Sequence, residues 1–220
     1  MFKTETHLHT AESSRCSKVE AAEMIRLYAE AGYKTVFVTD HMKSNYFRTS
    51  EEDTWEDEVD RLLLGYRNAA AVAEKYGVNV IMAVEFELGK IPNHYLTYGI
   101  TEELIKANPD ICTMTAQDFY RLMKENNVFV VQAHPNRDHG SFPTPDAADG
   151  FEIYNSNPRH DDYSEKSEED ARKYNLPVTA GSDAHRLDDL ALSGMLSEAE
   201  IKTTEDFVAL VKSGKGELIR

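Results

Sequence analysis

Val128-Phe129-Val130-Val131-Gln132-Ala133-His134-Pro135 is an apolar run of strand length that ends on a histidine. A continuous apolar run of this size indicates a strand buried on both faces, as in a parallel sheet covered by helices. Val36-Phe37-Val38-Thr39-Asp40-His41 repeats the pattern, apolar first and chemically active at its end. Working outward gives seven strand candidates: residues 3–9, 35–40, 78–85, 95–100, 128–133, 150–154 and 177–180. Helical patterns alternate with them. Ser17 and Glu20 have the spacing of a capping box, with Val19, Ala22, Ile25 and Ala29 on one face and Gly32 as the stop. Val59, Leu62, Leu63, Tyr66, Ala70 and Ala73 form a second helix ending at Gly77. Thr115 with Asp118 opens a third over Phe119 and Leu122. Thr203 with Asp206 opens the last, through Phe207, Leu210 and Val211 to Gly214. Seven such units make an α/β chain and fit a closed barrel better than an open sheet, although periodicity does not decide between them.

The chain has 220 residues, enough for a single domain spanning 1–220 with a sizeable core. A hydrophobic content of 41% and an aromatic content of 10% describe a globular protein. No run approaches the ~18 apolar residues of a membrane span. Met1-Phe2-Lys3-Thr4 leads straight into a strand, without the pattern of a signal peptide. The two cysteines, Cys16 and Cys112, read as reduced thiols of a cytoplasmic protein. A net charge of −15 argues against an extended nucleic-acid footprint, which needs a basic stripe. It leaves room for a small anionic substrate, because bound divalent cations invert the local field.

Six of the seven apolar runs carry a ligand-type residue at one end. His7-Leu8-His9 closes the first, Asp40-His41 the second and Glu85 the third. His94 precedes the fourth, His134 follows the fifth, and Gly181-Ser182-Asp183-Ala184-His185 follows the last. In a parallel barrel the C-terminal strand ends converge on one face, which holds the active site. His7 and His9, like Asp183 and His185, are two residues apart and so point to the same side of a strand. Any one of these pairs is more often structural than a ligand set. Six of the eight histidines at or beside strand ends make a shared pocket the better reading, with His139 and His160 left in loops. Imidazoles with carboxylates suit zinc, manganese or iron. Two close ions can hold a hydroxide at neutral pH and polarise a phosphoryl group, so no side-chain nucleophile is required. The sequence offers none: it has no Gly-x-Ser-x-Gly elbow, Walker loop or Cys–His nucleophile arrangement.

Glu5-Thr6-His7-Leu8-His9, Val38-Thr39-Asp40-His41, Ala83-Val84-Glu85, His94-Tyr95-Leu96, Ala133-His134-Pro135 and Gly181-Ser182-Asp183-Ala184-His185 occur in that order. With these motifs the chain resembles, end to end, the PHP (polymerase and histidinol phosphatase) family of metal-dependent phosphoesterases. The resemblance implies a distorted (β/α)7 barrel of the PHP type, with two or three metals on its C-terminal face. It implies His7, His9, Glu85 and Asp183 as ligands of one ion, and Glu85 as the bridge to a second that His94 and His134 complete. It also implies His41 and His185 as two ligands of a third. Trinuclear members carry another histidine shortly after the His-x-His, whereas Glu12-Ser13-Ser14-Arg15-Cys16 contains none. The expectation is two tight divalent ions, zinc, manganese or iron, with His41 and His185 holding a weak third or assisting proton transfer. Glu5 replaces the family's leading aspartate and reads as support for a ligand histidine. Cys16 reads as a small buried residue.

A phosphate substrate needs fixed cations besides the metals. Arg137, Arg159, Arg186, Arg15 and Lys43 all follow strand ends, and arginine binds phosphate bidentately. Arg137 and Arg159 are the preferred pair. The expected activity is hydrolysis of a small phosphorylated metabolite or nucleotide by a metal-bound hydroxide, with Asp183, His41 and His185 in the catalytic set. A histidinol-phosphate phosphatase is the nearest alternative. A nuclease for oligonucleotide ends, an amidohydrolase-like hydrolase and a non-catalytic metal-binding module are the others. Residues 43–66, which hold the sole tryptophan, Trp55, read as a lid over the pocket or as a helical insertion. The sequence leaves the oligomeric state open.

Overall fold

The computed structural model describes residues 1–89, 91–137 and 140–220. Among these, one sheet contains β1 (Phe2–Glu5), β2 (Tyr33–Val38), β3 (His41–Met42), β4 (Asn79–Glu87) and β5 (His94–Tyr98). It continues with β6 (Phe129–Ala133), β7 (Gly150–Asn155), β8 (Val178–Gly181), β9 (Gly194–Ser197) and β10 (Glu217–Ile219). The strand order is β10-β9-β1-β2-β4-β5-β6-β7-β8, with β3 paired to β4. Beyond β1, Leu8 forms a parallel bridge to Ala184, and His9 N–H donates to Ala184 O at 3.0 Å. This contact joins the extension of β1 to that of β8, and the sheet becomes a nearly closed, distorted barrel. Its staves are β1, β2 and β4 to β8, the seven segments expected from the sequence.

The sheet is mixed where a parallel one was expected. β5 runs antiparallel to both β4 and β6, and β9 runs antiparallel to β1 and β10. The cause lies in the connection. Residues 88–93 are too few for the helical crossover that a parallel neighbour needs, so β4 and β5 form a hairpin. The reversal puts the first residue of β5, His94, beside the last residue of β6, Ala133, and so beside His134. That is why this one ligand candidate precedes its strand.

The helices are α1 (Ala21–Glu30), α2 (Trp55–Leu62), α3 (Leu64–Tyr76), α4 (Glu102–Lys106), α5 (Ala116–Glu125), α6 (Ser164–Tyr174) and α7 (Thr204–Ser213). The start of α1 differs from its sequence reading. The Ser17–Glu20 capping box does not form, and the Glu12 carboxylate instead accepts the Ala21 N–H at 2.9 Å. Ser17 Oγ donates to His9 O at 2.8 Å and His185 O at 3.2 Å, tying two strand ends together. The buried face is Ala21, Met24, Ile25 and Tyr28, shifted from the expected Val19, Ala22, Ile25 and Ala29. The pattern read as one helix from Val59 to Gly77 is two, α2 and α3, separated at Leu63. Thr115 and Thr203 cap α5 and α7 as their spacing requires, and Gly77 and Gly214 end α3 and α7 at φ of 63° and 65°.

Phe37 of β2, Tyr98 of β5 and Phe207 of α7 meet with ring centroids 4.7–5.1 Å apart. Tyr98 is the end of β5 remote from His94, and Phe129, in the same cluster, is the end of β6 remote from His134. The apolar plug therefore lies at one end of the barrel and the ligand-bearing residues at the other. In the segment 43–66, Phe47, Val59, Leu62 and Leu63 are buried against Phe86, Leu88 and Ile105 on the flank. Trp55 Nε1–H donates to Ile105 O at 3.0 Å, while Tyr46 approaches the pocket, its ring centroid 6.5 Å from that of His41. Among the described residues, no helix is long and apolar enough to cross a membrane.

Candidate metal centre

Glu85 stands at the centre of the ligand face. It lies in the buried stretch of β4, where the register sets it opposite His41 of β3 and Leu96 of β5. Its carboxylate lies 3.4 Å from His7 Nε2, 3.5 Å from His9 Nε2, 2.6 Å from His41 Nδ1, 3.1 Å from His94 Nδ1 and 3.3 Å from His134 Nε2. Glu85 is 1% exposed. Asp183 Oδ1 completes the ring at 3.1 Å from His9 Nε2 and 3.5 Å from His7 Nε2. His134 and Asp183 both hold left-handed backbone, at φ of 32° and 49°. Such conformations cost about 1–3 kcal/mol each and persist where the surroundings over-determine them.

So many buried carboxylates and imidazoles demand cations in compensation. In the chain alone, protons fill that place. Burial pushes the His41 ring down, but Glu85 and the Cys16 thiol outweigh it and raise its pKa to about 10. His7 follows the same logic: burial opposes its charge, while Glu152, Asp183 and Glu85 hold it well above the usual imidazole range. Burial and the neighbouring His41 and His185 keep His9 well below that range. Burial and Arg137 bring His134 down to about 3, so it is neutral and ready to ligate. Burial would raise Glu85 and Asp183, yet the imidazoles, and Arg137 for Asp183, hold both well below the usual carboxylate range.

The donor set fits divalent ions on a further ground. Glu85 Oε2 and His134 Nδ1 are buried and lack a hydrogen bond of acceptable geometry, although His41 Nδ1 lies so near the former. Three overlapping groups bring ligand atoms within 4.8 Å of one another: His7, His9 and Glu85; His41, Glu85 and His94; and His9, His41 and His185. Two such groups sharing Glu85 are the arrangement in which one carboxylate bridges two ions. Glu152, which the sequence reading did not single out, accepts from or pairs with His7 Nδ1 at 2.8 Å through Oε1, and accepts the His134 N–H at 3.1 Å through Oε2. Glu5 supports the histidine differently from expectation. Its Oε1 accepts the backbone N–H groups of Thr6, His7 and Ser182, and its Oε2 accepts the Tyr28 hydroxyl.

A cavity of about 260 Å³ opens over this cluster, lined by His41, Glu85, His94, Asp183 and His185 together with Arg137, Arg159 and Arg186. Arg137 Nη2 donates to Asp183 Oδ2 at 2.5 Å and to Asn155 Oδ1 at 2.7 Å. Arg159 forms a bidentate pair with Asp189, both contacts at 2.7 Å. Arg186 is exposed at the rim. Arg15 and Lys43 lie outside the lining, over the Tyr46 ring at 4.9 and 5.2 Å from its centroid. Cys16 is exposed and lines the cavity, contrary to its reading as a small buried residue. Partial burial raises its thiol, but hydrogen bonds with His185 and His41 bring it down to about 6. His160 and Asn157 also line the cavity, whereas His139 lies outside the described residues.

A two-domain protein of Bacteroides vulgatus containing a predicted PHP-like metal-dependent phosphoesterase superposes on the chain with a TM-score of 0.72 at 15% identity. The match covers 99% of this chain and 64% of the other. The fold is that of the PHP family. Residues 163–215 also match the family model described as PHP-associated. The same PHP fold superposes on an amidohydrolase from Chromobacterium violaceum at TM-score 0.60 and 14% identity, over 86% of this chain and 89% of that one. It superposes on a lesion-specific endonuclease from Pyrococcus furiosus at 0.59 and 14%, over 99% and 57%. The chain thus spans less than two thirds of the length of the Bacteroides and Pyrococcus proteins. No curated protein sequence matches it.

Proposed function

We propose that this PHP-fold chain is a metal-dependent phosphoesterase acting on a small phosphorylated metabolite or nucleotide. The observation that carries the reading is the position of Glu85, whose one buried carboxylate lies within 3.5 Å of five imidazoles. His7, His9, Glu85 and Asp183 would hold one divalent ion, and Glu85, His94 and His134 a second. Zinc, manganese and iron all suit these donors. When bound, such ions supply electrophilic activation of a phosphoryl group and of a water molecule.

The chain's own residues supply the rest. Arg137 keeps Asp183 ionised and fixes its orientation, and Asn157 Nδ2 donates to Asp183 O at 3.1 Å to hold the turn. Arg159 and Arg186 present guanidinium donors on the cavity wall to the non-bridging oxygens of a phosphate. Proton delivery to the leaving oxygen falls to the imidazoles of that wall, His41, His160 and His185. The cavity's size and the −15 charge favour a compact substrate over a nucleic-acid polymer. An amidohydrolase reading gains nothing from the site, since a glutamate occupies the central bridging place.

The test is a substrate panel on the metal-loaded protein, with mono- and bisphosphorylated nucleotides beside histidinol phosphate, single-stranded oligonucleotides and amides. Turnover of a phosphate monoester that is lost in Asp183→Asn supports the proposal. Turnover confined to amides, or full phosphatase activity in Asp183→Asn, overturns it.

A further inference from the structure

Among the described residues, the imidazoles lining the cavity are His41, His94, His160 and His185. His41, His94 and His185 all belong to the groups of converging ligand atoms. His41 Nδ1 lies 2.6 Å and His94 Nδ1 3.1 Å from the Glu85 carboxylate, and His185 Nδ1 lies 2.8 Å from Asp183 O. An imidazole that coordinates an ion through one nitrogen and is oriented through the other has no proton to give. His160 belongs to none of these groups, although it lines the same cavity.

Asn157-Pro158-Arg159-His160 has the composition of a tight turn. Proline at the second position brings the φ that such a turn needs, and asparagine at the first bonds to the backbone two residues on. Asn157 O accepts the His160 N–H at 3.4 Å, and Asn157 Oδ1 accepts the Arg159 N–H at 3.2 Å. The turn is then tied to the ligand face on both sides. Asn157 Nδ2 donates to Asp183 O at 3.1 Å, its N–H donates to Asn155 Oδ1 at 3.2 Å, and Arg159 holds Asp189 through two contacts of 2.7 Å. The side chains of Asn157, Arg159 and His160 thereby reach one wall, where His160 is half-buried. In a cavity of about 260 Å³, a phosphate bound by Arg159 lies close to His160.

We infer that His160 is the general acid of the proposed hydrolysis, protonating the leaving oxygen of a phosphate ester held by its neighbour Arg159. A water oxygen forms a bond to phosphorus and releases one proton to solvent. The bond from phosphorus to the ester oxygen breaks, its electron pair stays on that oxygen, and the proton of the His160 ring passes to it. The products are an alcohol and inorganic phosphate, and His160 regains its proton from solvent. A site with its own acid suits esters of aliphatic alcohols, whose alkoxides leave poorly without a proton. The inference narrows the three wall imidazoles named above to one and rests on the phosphoesterase reading.

The test compares phenyl phosphate, whose leaving oxygen needs a proton, with p-nitrophenyl phosphate, whose leaving group departs readily without one. On the metal-loaded full chain, His160→Asn and His160→Gln should each lower kcat on phenyl phosphate by about 100-fold or more, and on p-nitrophenyl phosphate by far less. Both variants should bind as many metal ions as the wild type, because His160 is not a ligand. Arg159→Ala should slow the two esters alike, because it holds the phosphate and not the leaving group. Equal losses on the two esters in the His160 variants overturn the inference, as does the loss of a metal equivalent, and either result leaves the proposed function standing. Hydrolysis of neither ester by the metal-loaded wild type defeats both.

Discussion

Glu152 Oε1 lies 2.8 Å from His7 Nδ1, and both side chains are fully buried. The contact assigns the two faces of the ring. Nδ1 carries a proton toward Glu152, and Nε2 faces Glu85 and Asp183, 3.4 and 3.5 Å away, where it would offer its lone pair to an ion once its own proton leaves. Glu152 Oε2 meanwhile accepts the His134 N–H and the Asn155 amide. One carboxylate on β7 therefore orders candidate ligands that follow β1 and β6.

Glu152→Gln should keep the shape of this contact and lose its charge. A neutral amide holds the His7 tautomer less firmly and lowers the basicity of Nε2. Loss of such a partner costs a metal site about 10- to 100-fold in affinity. Competition with a coloured chelator measures it. Unchanged affinity in Glu152→Gln would show that the pair is not a tuning contact.

Gly181 is the space in which that pair sits. A Cβ there would fall 2.5 Å from His7 Cβ, 2.8 Å from Glu152 Oε1 and 2.9 Å from Thr6 Oγ1. Gly181→Ala must therefore move His7 or Glu152. Overpacking of this kind costs about 1–3 kcal/mol of stability, and here metal affinity should fall with it. Urea unfolding of metal-free protein reads the first effect and chelator competition the second. A variant with normal stability and affinity would mean that the strand end relaxes freely.

The candidate ligands were legible in the sequence because histidines rarely gather at strand ends without reason, and Glu85 stood out as a carboxylate closing an apolar run. Glu152 offered the same signal between Phe151 and Ile153, in a strand whose other residues are mostly apolar, yet no histidine beside it drew attention. The direction of β5 was legible in principle from the shortness of the chain between Glu87 and His94. Asn155, Asn157 and Asp189 had no such mark. Asn155 is the last residue of β7 and the other two lie in the polar segments that follow β7 and β8, and only the closing of the barrel brings them to Arg137, Asp183 and Arg159. The cap of α1 was misread for a related reason: Glu12 is remote in periodicity from the helix whose first N–H it accepts.

Asp40 makes stability depend on pH in a specific direction. Burial raises its carboxyl to about 6, against the opposing hydrogen bonds from Thr10 N, Thr10 Oγ1 and Ser14 Oγ. The folded state therefore keeps a proton that the unfolded chain releases near pH 4. The stabilisation from this group is complete below that pH and is lost as pH rises through about 6, to the extent of about 3 kcal/mol. The amide introduced by Asp40→Asn does not titrate, and the Thr10 and Ser14 hydroxyls can turn to suit it. The difference in urea stability between wild type and Asp40→Asn should shift by about that amount between pH 4 and pH 7, with the wild type losing ground. A flat difference would mean that Asp40 is ionised in the fold throughout.

Three arginines line the cavity, and their partners predict three different kinetic outcomes. Arg186 is exposed and its backbone N–H, not its guanidinium, is bound to Asp189. Arg186→Ala should raise KM with little change in kcat, by about tenfold for the loss of one charge-assisted phosphate contact. Arg159 both faces the cavity and holds Asp189, whose Oδ2 accepts the His185 N–H at 2.9 Å. Removing it disturbs the His185 turn as well as the substrate, so Arg159→Ala should lower kcat and raise KM together. Arg137 is half-buried behind Asp183 and compensates its charge. Arg137→Ala should release Asp183 from its low pKa, weaken metal binding and reduce kcat/KM by about 100-fold or more, with partial recovery at high metal concentration. Steady-state kinetics across a metal titration separate the three. Equal effects from all three variants would place the guanidinium groups in one undifferentiated electrostatic field, and the individual roles argued from Asp183 and Asp189 would not stand.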